Sequence, residues 1–308
     1  MKIIFAGTPE FALPSLAALH KHHTVVAVAT QEDKKTGRGK KLTPTPVKKY
    51  ALHEGMLVIT EPINSAYEKL VSLKPECIVT VAYGCMIHEK ILTLPQFGVI
   101  NVHPSLLPRY RGPAPLQAPI LYGDNETGVT IMKTIKQMDA GPILMQENFP
   151  LVGNETTGDL HNALKEISAK LILHTLDHIT EIESQPQNEL YASYTKKITT
   201  TDARLVVRES AVINERKIRG FNPWPGAYIE CRHPKIKRLK IFKARIQKTT
   251  SPEAVAHSLF VYHGNPSFLC QDNNVLTLLE VQGQGGKRIS GEEFVRGYLN
   301  QFPIRLAP

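Results

Sequence analysis

Short apolar runs alternate with amphipathic stretches along the first 150 residues. The runs are rich in Val and Ile and almost continuously apolar, as strands covered on both faces are. They are Lys2–Ala6, Thr24–Thr30, Leu57–Thr60, Cys77–Ala82 and Gly98–Val102. Phe11–His20 has helical periodicity, and a second helix is predicted to begin at Ser65, with Glu68 as a capping-box partner, and to stop at Pro75. This alternation predicts an α/β domain: a Rossmann-like, open, mostly parallel sheet with helices on both faces.

Two more strands, Thr127–Ile135 and Ile143–Phe149, complete the predicted sheet. A long helix is predicted over Thr157–Glu183, with Thr156 or Thr157 as its cap. The next stretch, residues 184–203, is polar and has no sustained period, which is typical of a linker.

The C-terminal third has a different pattern. A helix is predicted over Ala211–Arg219, followed by a break at Asn222–Gly226. Short alternating segments then extend from Tyr228 to Val281 with turn signals between them. This pattern predicts a small, OB-like β-barrel. The predicted organisation is therefore an α/β domain over residues 1–183, a linker over 184–203 and a barrel domain over 204–308.

Composition narrows the class of protein. Apolar residues make up 42% of the chain and charged residues 21%, as in ordinary soluble globular proteins. No apolar run approaches the ~20 residues of a membrane span, so no membrane partner is expected. The N-terminus has no signal-peptide pattern. The four cysteines have no metal-type spacing, which favours packing roles in a reducing cytoplasm and no bound metal.

Positive charge is concentrated at the C-terminal end. Residues 190–308 contain 19 Lys and Arg against 9 Asp and Glu, within a chain of net charge +9. Residues 34–49 contain seven Lys and Arg and no acid. Such segments favour an anionic partner, nucleic acid first. A solvated basic surface is the alternative, and composition leaves both interpretations open.

The turn after the first strand lacks a phosphate-binding glycine pattern. It reads Gly7-Thr8-Pro9-Glu10-Phe11, where a dinucleotide-binding fold would have G-x-G-x-x-G. The chain also has no Walker A sequence. A nicotinamide oxidoreductase and a P-loop NTPase are both disfavoured, and Gly7 is interpreted as a tight turn into a helix.

Polar side chains at the end of the fifth strand are the candidates for chemistry. Asn101 and His103 point to the same side of the strand because side chains alternate. Open α/β sheets bind ligands at this end of their strands. An amide and an imidazole can together donate to an oxygen that becomes negative during acyl transfer. Asp139, in a turn after another strand, could orient the imidazole. Strand-end hydrogen bonding and turn formation remain the structural alternatives.

At this point the sequence resembles a known family. NVHPSLLPRYRGPAP is similar to the signature of the folate-dependent formyltransferases, and MDAGPIL is similar to their acidic motif. FAGTPEFA, TGRGKKLTPTPVK, VTVAYG and FNPWPGAY extend the resemblance over nearly the whole chain, and the members that act on initiator tRNA are the nearest. Three departures are Gly112-Pro113 in place of an RGAAP-like sequence, Ala140 where Thr is frequent, and Leu-Val-Val after Arg204.

The resemblance implies formyl transfer from 10-formyltetrahydrofolate to the amino group of initiator methionyl-tRNA, by a cytoplasmic enzyme that we expect to be a monomer. Asn101 and His103 would donate to the developing oxyanion, and Asp139 would hold His103 in position. The implied folate contacts are Ser105, Leu106, Leu107, Pro108, Tyr83 and Gly84. The implied tRNA contacts are Arg38, Lys40, Lys41, Lys235, Lys237, Arg238, Lys240 and Lys243. The alternatives are a formyltransferase for an amino sugar nucleotide and a tRNA-binding protein without catalysis.

Overall fold

The computed structural model describes residues 1–36, 41–248, 257–298 and 302–307, with the side chains of residues 35, 36 and 41 excepted. The chain forms two compact units. Unit 1 comprises residues 1–115, 126–150 and 161–196, and unit 2 comprises residues 116–125, 151–160 and 197–308. The sequence predicts a linker over residues 184–203, whereas residues 184–196 of it belong to unit 1.

The strands of the described residues, in chain order, are β1 (Lys2–Gly7), β2 (Thr24–Ala29), β3 (Lys34–Thr36), β4 (Lys41–Thr43), β5 (Val58–Ile59), β6 (Cys77–Val81), β7 (Val99–His103), β8 (Glu126–Lys133), β9 (Ile143–Pro150), β10 (Tyr228–Glu230), β11 (Arg238–Lys248), β12 (Ser258–Tyr262), β13 (Asn265–Leu269), β14 (Asn274–Gly283), β15 (Arg288–Ser290) and β16 (Ile304–Arg305). The helices are α1 (Leu13–His22), α2 (Pro46–His53), α3 (Tyr67–Leu73), α4 (Glu89–Leu92), α5 (Ala118–Tyr122), α6 (Thr157–Asp177), α7 (Ala211–Gly220) and α8 (Gly291–Tyr298), with short 3₁₀ turns at Glu10–Ala12 and Glu189–Tyr191.

Unit 1 is built on a mixed sheet with strand order β5-β2-β1-β6-β7-β8-β9. The strands from β5 to β7 run parallel, and β8 and β9 are antiparallel. Residues of β1 and β6 are almost wholly buried, as their continuous apolar runs predict. The predicted Rossmann-like, mostly parallel sheet is confirmed. The basic segment adds a hairpin in which β3 pairs with β4.

Two details of the predicted helices are wrong. Helix α3 begins at Tyr67 after Ala66, with no side-chain cap, so Ser65 and Glu68 form no capping box. The reason is a preceding turn, in which the Ser65 N–H donates to the Pro62 carbonyl at 2.8 Å. Helix α6 ends at Asp177 and not at Glu183. Its last turn loosens because the Ile179 N–H reaches only the Leu176 carbonyl, three residues back, at 3.5 Å.

The predicted start of α6 is confirmed at Thr156. Its hydroxyl accepts from the Asp159 N–H at 3.2 Å, and the Asp159 carboxylate accepts from the Thr156 N–H at 2.9 Å. This reciprocal pair satisfies backbone donors that a helix start leaves without partners.

Unit 2 is a curled antiparallel sheet with strand order β10-β11-β14-β13-β12-β16, and β15 pairs with β14. An isolated bridge between Cys231 and Leu306 joins its two ends. The Arg232 N–H donates to the Arg305 carbonyl at 2.7 Å on one side of this bridge. Phe268 and Phe294 are fully buried in the enclosed core. The predicted small β-barrel is confirmed. Among the described helices of the chain, none is long and apolar enough to cross a membrane.

Candidate functional site

The strands that carry the candidate side chains end together at one edge of the sheet in unit 1. Thr80 of β6 lies beside Asn101 of β7, and Gly7 of β1 lies beside Val81 of β6. A side chain on Gly7 would place its Cβ 2.7 Å from the Phe5 ring, so glycine permits the close packing at this edge. Parallel sheets bind their ligands at this carboxyl edge.

The half-buried Asn101 side chain is oriented by its neighbour strand. The buried Thr80 hydroxyl donates to Asn101 Oδ1 at 2.7 Å. Because the oxygen faces Thr80, the Nδ2 group points away from it, and it has no hydrogen-bond partner among the described residues. Asn101 therefore presents a free amide donor at the carboxyl edge of the sheet.

The His103 imidazole is buried, with 4% of the residue exposed. Its Nε2 lies 2.9 Å from the Tyr110 carbonyl oxygen, and since a carbonyl only accepts, Nε2 is the donor. Its Nδ1 lies 3.8 Å from Asp139 Oδ2, beyond hydrogen-bonding distance but within the range of an ion pair. Both ring nitrogens thus face acceptors of the protein itself.

Asp139 joins the two turns of the site. Its Oδ2 accepts from the Gly112 N–H at 2.8 Å, in the turn that follows His103. Its backbone has φ of 51°, in the left-handed region that costs a non-glycine residue about 1 kcal/mol or more. The structure therefore brings Asp139 to His103 and holds it in a conformation that needs support from its surroundings.

The loop Ser105–Pro108 is fixed by side chains of the sheet beneath it. The Thr130 hydroxyl donates to the Ser105 carbonyl at 2.6 Å and accepts from the Leu107 N–H at 3.1 Å. Gln146 Nε2 donates to the Leu107 carbonyl at 2.9 Å. Ser105 and Leu107 are buried, whereas Leu106 and Pro108 are half-buried. The loop is therefore a preformed wall with apolar side chains at its surface.

Tyr83 and Gly84 form the turn after β6. The Tyr83 ring belongs to the core of unit 1, and its hydroxyl accepts from the Ile63 N–H at 3.3 Å. Burial raises the pKa of this phenol. The Tyr83 carbonyl accepts from Gln31 Nε2 at 3.0 Å. This turn can contribute backbone to a ligand site, while the phenol itself lies inside the core.

The predicted tRNA contacts are only partly covered by the described residues. Arg38 and Lys40 lie outside them, and Lys41 is described by its backbone alone. In unit 2, Lys235, Lys237 and Lys243 are exposed and have no ion-pair partner in the described part of the chain, and Lys240 is half-buried. Arg238 pairs with Glu230 at 3.2 Å and lies 3.9 Å from the centre of the Tyr228 ring.

The cysteines form no additional site. Cys77, Cys231 and Cys270 are buried free thiols, and Cys85 is exposed. Burial raises the pKa of Cys231 and of Cys270 to about 12, as expected for packing residues. No group of three or more His, Cys, Asp or Glu residues in the described ranges could hold a metal ion.

Sequence reasoning missed two parts of this site. Thr80 is a residue of a buried strand, and only the register of β6 against β7 reveals its contact with Asn101. The other part is the polar segment 185–195, whose side chains surround Arg111. Arg111 lies in the segment PRYRG, which gave a sequence signal through the family resemblance, but that signal identified no partner for Arg111.

Comparison with known proteins finds a matching family model for each of two regions of the chain. Residues 1–176 match the family model described as formyl transferase, and residues 197–299 match the model described as formyl transferase, C-terminal domain. A methionyl-tRNA formyltransferase from Methylococcus capsulatus is 38% identical over 97% of this chain and 97% of its own length. One from Moorella thermoacetica is 40% identical, with 97% and 96% covered.

The fold also matches solved structures. An N-formyltransferase from Helicobacter canadensis, in complex with folinic acid and dTDP-3-aminofucose, superposes with a TM-score of 0.69. The match covers 90% of this chain and 98% of that one at 22% identity. At this identity the likeness establishes the shared fold.

Proposed function

This chain belongs to the formyl transferase family, and we propose that it transfers the formyl group of 10-formyltetrahydrofolate to the free amino group of initiator methionyl-tRNA. Two curated relatives with near-complete coverage carry the name methionyl-tRNA formyltransferase, which supports this substrate pair. The structural observation that carries the proposal is the Asn101 amide, held at the carboxyl edge of the sheet with its donor group free. We further propose that the enzyme acts in the cytoplasm as a monomer.

The free Asn101 donor fits a formyl oxygen. When the neutral amine attacks the formyl carbon, a nitrogen–carbon bond forms and the oxygen gains negative charge. The bond from the carbon to N10 of the folate then breaks, and the proton leaving the amine passes to N10, directly or through water. A donor that is already oriented stabilises the charge on the oxygen without reorganising during the reaction. Thr80 supplies this orientation.

His103 is the second donor in this proposal. Its Nε2 proton now points at the Tyr110 carbonyl, so substrate binding would exchange that acceptor for the formyl oxygen. Asp139 faces the opposite ring nitrogen and would hold the ring so that Nε2 donates to the formyl oxygen. Hydrogen bonds of catalytic groups are commonly tightened only by bound substrate, which suits the 3.8 Å separation.

The loop Ser105–Pro108 and the turn Tyr83–Gly84 would hold the folate. The half-buried Leu106 and Pro108 offer apolar surface to a flat ring. The Tyr83 carbonyl already accepts from Thr8 and Gln31, so the turn would present the backbone of Gly84 to the edge of the ring. The formyl donor is a substrate in this scheme, and the mechanism uses no metal.

The basic residues would bind the RNA. Arg38, Lys40 and Lys41 of the basic segment would contact the acceptor end. In unit 2, Lys235, Lys237 and Lys243 have ammonium groups available to phosphates, together with Lys240 and Arg238. Such contacts orient an RNA without reading its sequence.

One assay tests the substrate assignment directly. The purified protein is incubated with 10-formyltetrahydrofolate and either methionyl initiator tRNA or an amino sugar nucleotide, and the formylated product is quantified by mass spectrometry. We expect formylmethionyl-tRNA and no formylated sugar. Formylated sugar without formylmethionyl-tRNA would show that the acceptor is an amino sugar nucleotide. No product from either acceptor would show that the protein binds without catalysing the transfer.

Replacing Asn101 by Ala should lower kcat by a factor on the order of 10²–10³, because one oxyanion donor is lost. The change removes the contact with Thr80, whose hydroxyl keeps the Ile100 carbonyl as an acceptor at 3.3 Å, so circular dichroism should be unchanged and the melting temperature only slightly lower. Single-turnover formylation with saturating substrates measures the effect. Near-normal turnover would exclude Asn101 from the mechanism.

Replacing Thr80 by Val should lower kcat by roughly three- to tenfold, since a neutral hydrogen bond contributes about 0.5–1.5 kcal/mol. Val has nearly the shape of Thr but cannot donate to Asn101. Thr80→Ser keeps the hydroxyl and should restore most of the rate. Equal rates for the Val and Ser variants would show that the hydroxyl does not orient the amide.

Binding of tRNA should weaken steeply with salt, and Lys243→Gln should make this dependence shallower. Each phosphate contact contributes about −0.9 to the slope of log K against log salt in a duplex. The exposed Lys69 of α3, outside the proposed RNA contacts, provides the control Lys69→Gln. Filter binding between about 50 and 200 mM salt measures both slopes. A flat response of the wild type would contradict tRNA binding by these cations.

A further inference from the structure

A polar segment of unit 1, residues 185–195, pairs with both turns of the catalytic site; we name it the strap. At one end, Gln185 exchanges two backbone hydrogen bonds with Ile143, at 2.7 and 2.8 Å, just after the turn of Asp139. At the other end, the Arg111 N–H donates to the Ser193 carbonyl at 2.9 Å, and the Thr195 N–H donates to the Arg111 carbonyl at 2.7 Å. The strap therefore spans from the Asp139 turn to the turn that follows His103.

The side chain of Arg111 is the centre of the strap's contacts. Only 1% of this residue is exposed, and a buried guanidinium must be fully paired to avoid a large desolvation cost. Its two Nη groups donate to the Glu189 carboxylate at 2.7 and 2.9 Å, and Nη1 also donates to the Tyr194 hydroxyl at 2.9 Å. These bonds, with Glu189 foremost, raise the pKa of the guanidinium. The Arg111 side chain is thus a fixed cation.

Arg111 in turn fixes the amide of Gln187. Its Nε and Nη2 groups donate to Gln187 Oε1 at 3.1 and 2.9 Å. A guanidinium has donors only, so the oxygen of the amide must face Arg111 and the NH₂ group must face the other way. On that side, Gln187 Nε2 donates to the Asp139 carbonyl at 2.9 Å and to the Gly141 carbonyl at 2.7 Å. Both polar ends of Gln187 are engaged.

These contacts act on the backbone of the residue that faces the imidazole. Asp139 has φ of 51° and holds this left-handed conformation although it is not glycine. Rotation of the peptide units beside it would move the carboxylate away from the Gly112 N–H and from His103. We infer that Gln187 is a positioning residue for Asp139: oriented by Arg111, it holds the Asp139 and Gly141 carbonyls so that the carboxylate faces His103. The inference rests on the proposed catalytic role of Asp139.

The substitution Gln187→Glu separates this role from a general structural one. A glutamate keeps the shape and the oxygen that Arg111 binds, so the buried cation stays paired. It loses both N–H donors and places a carboxylate oxygen against two carbonyls. We expect kcat for formyl transfer to fall by about 10- to 100-fold, the effect of a small misplacement of a catalytic group, while KM for either substrate changes by about twofold at most. Gln185→Glu is the matched control, because Gln185 is exposed and contacts Ile143 through its backbone alone.

A double-mutant cycle gives the decisive readout. If Gln187 acts through the Asp139 carboxylate, Gln187→Glu should change the rate by less than about twofold in an Asp139→Asn background. Multiplicative losses in the double variant would overturn the inference, as would equal rates for Gln187→Glu and Gln185→Glu. If Gln187→Glu does not fold, Gln187→Met removes the same donors, together with the oxygen that Arg111 binds, and its loss in rate must likewise disappear in the Asp139→Asn background. Wild-type rates in Asp139→Asn itself would instead refute the catalytic role of Asp139 in the proposed function.

Discussion

One carboxylate connects the separate parts of the candidate site. Asp139 accepts from the Gly112 N–H and faces His103, so its side chain joins the turn after β8 directly to the turn after β7. Its own backbone is in an unfavourable conformation, which costs about 1–3 kcal/mol and persists only where neighbours determine it. We infer that the hydrogen bonds from Gln187 to the Asp139 and Gly141 carbonyls stabilise that conformation.

Burying an arginine to support a turn costs free energy unless its N–H groups are paired, and this requirement lets it orient its neighbours. Burying an ionic group in place of apolar residues commonly adds no stability, so the burial of Arg111, whose partner Glu189 is exposed, is weak evidence for stability as such. Arg111 instead orients its partners. Its five N–H groups lie in one rigid plane, so Glu189, Gln187 and Tyr194 can accept hydrogen bonds from it in only one arrangement. A purely apolar contact would hold the strap near the site without orienting an amide.

The sequence predicts the sheet well because its information is local. Continuous apolar runs identify β1, β6 and β7, and strand alternation places Asn101 and His103 on one side. The hairpin of β3 and β4 and the strap were not predicted, because both are polar and lack a hydrophobic period. The strap gains its place through contacts with residues far away in sequence, such as Asp139, 48 positions from Gln187, and Arg111, 84 positions from Thr195. A pattern in one sequence contains no record of such pairs.

The orientation of the Asn101 amide depends on the register of β6 against β7. Its oxygen meets the Thr80 hydroxyl only because β6 and β7 pair with Thr80 opposite Asn101. A shift of one residue would turn every side chain of the strand to the other face of the sheet. Register is in turn fixed by the buried residues on either side, Val79 and Val81 in β6 and Val102 in β7. The same apolar packing that stabilises unit 1 therefore determines which end of a polar amide is presented to a substrate.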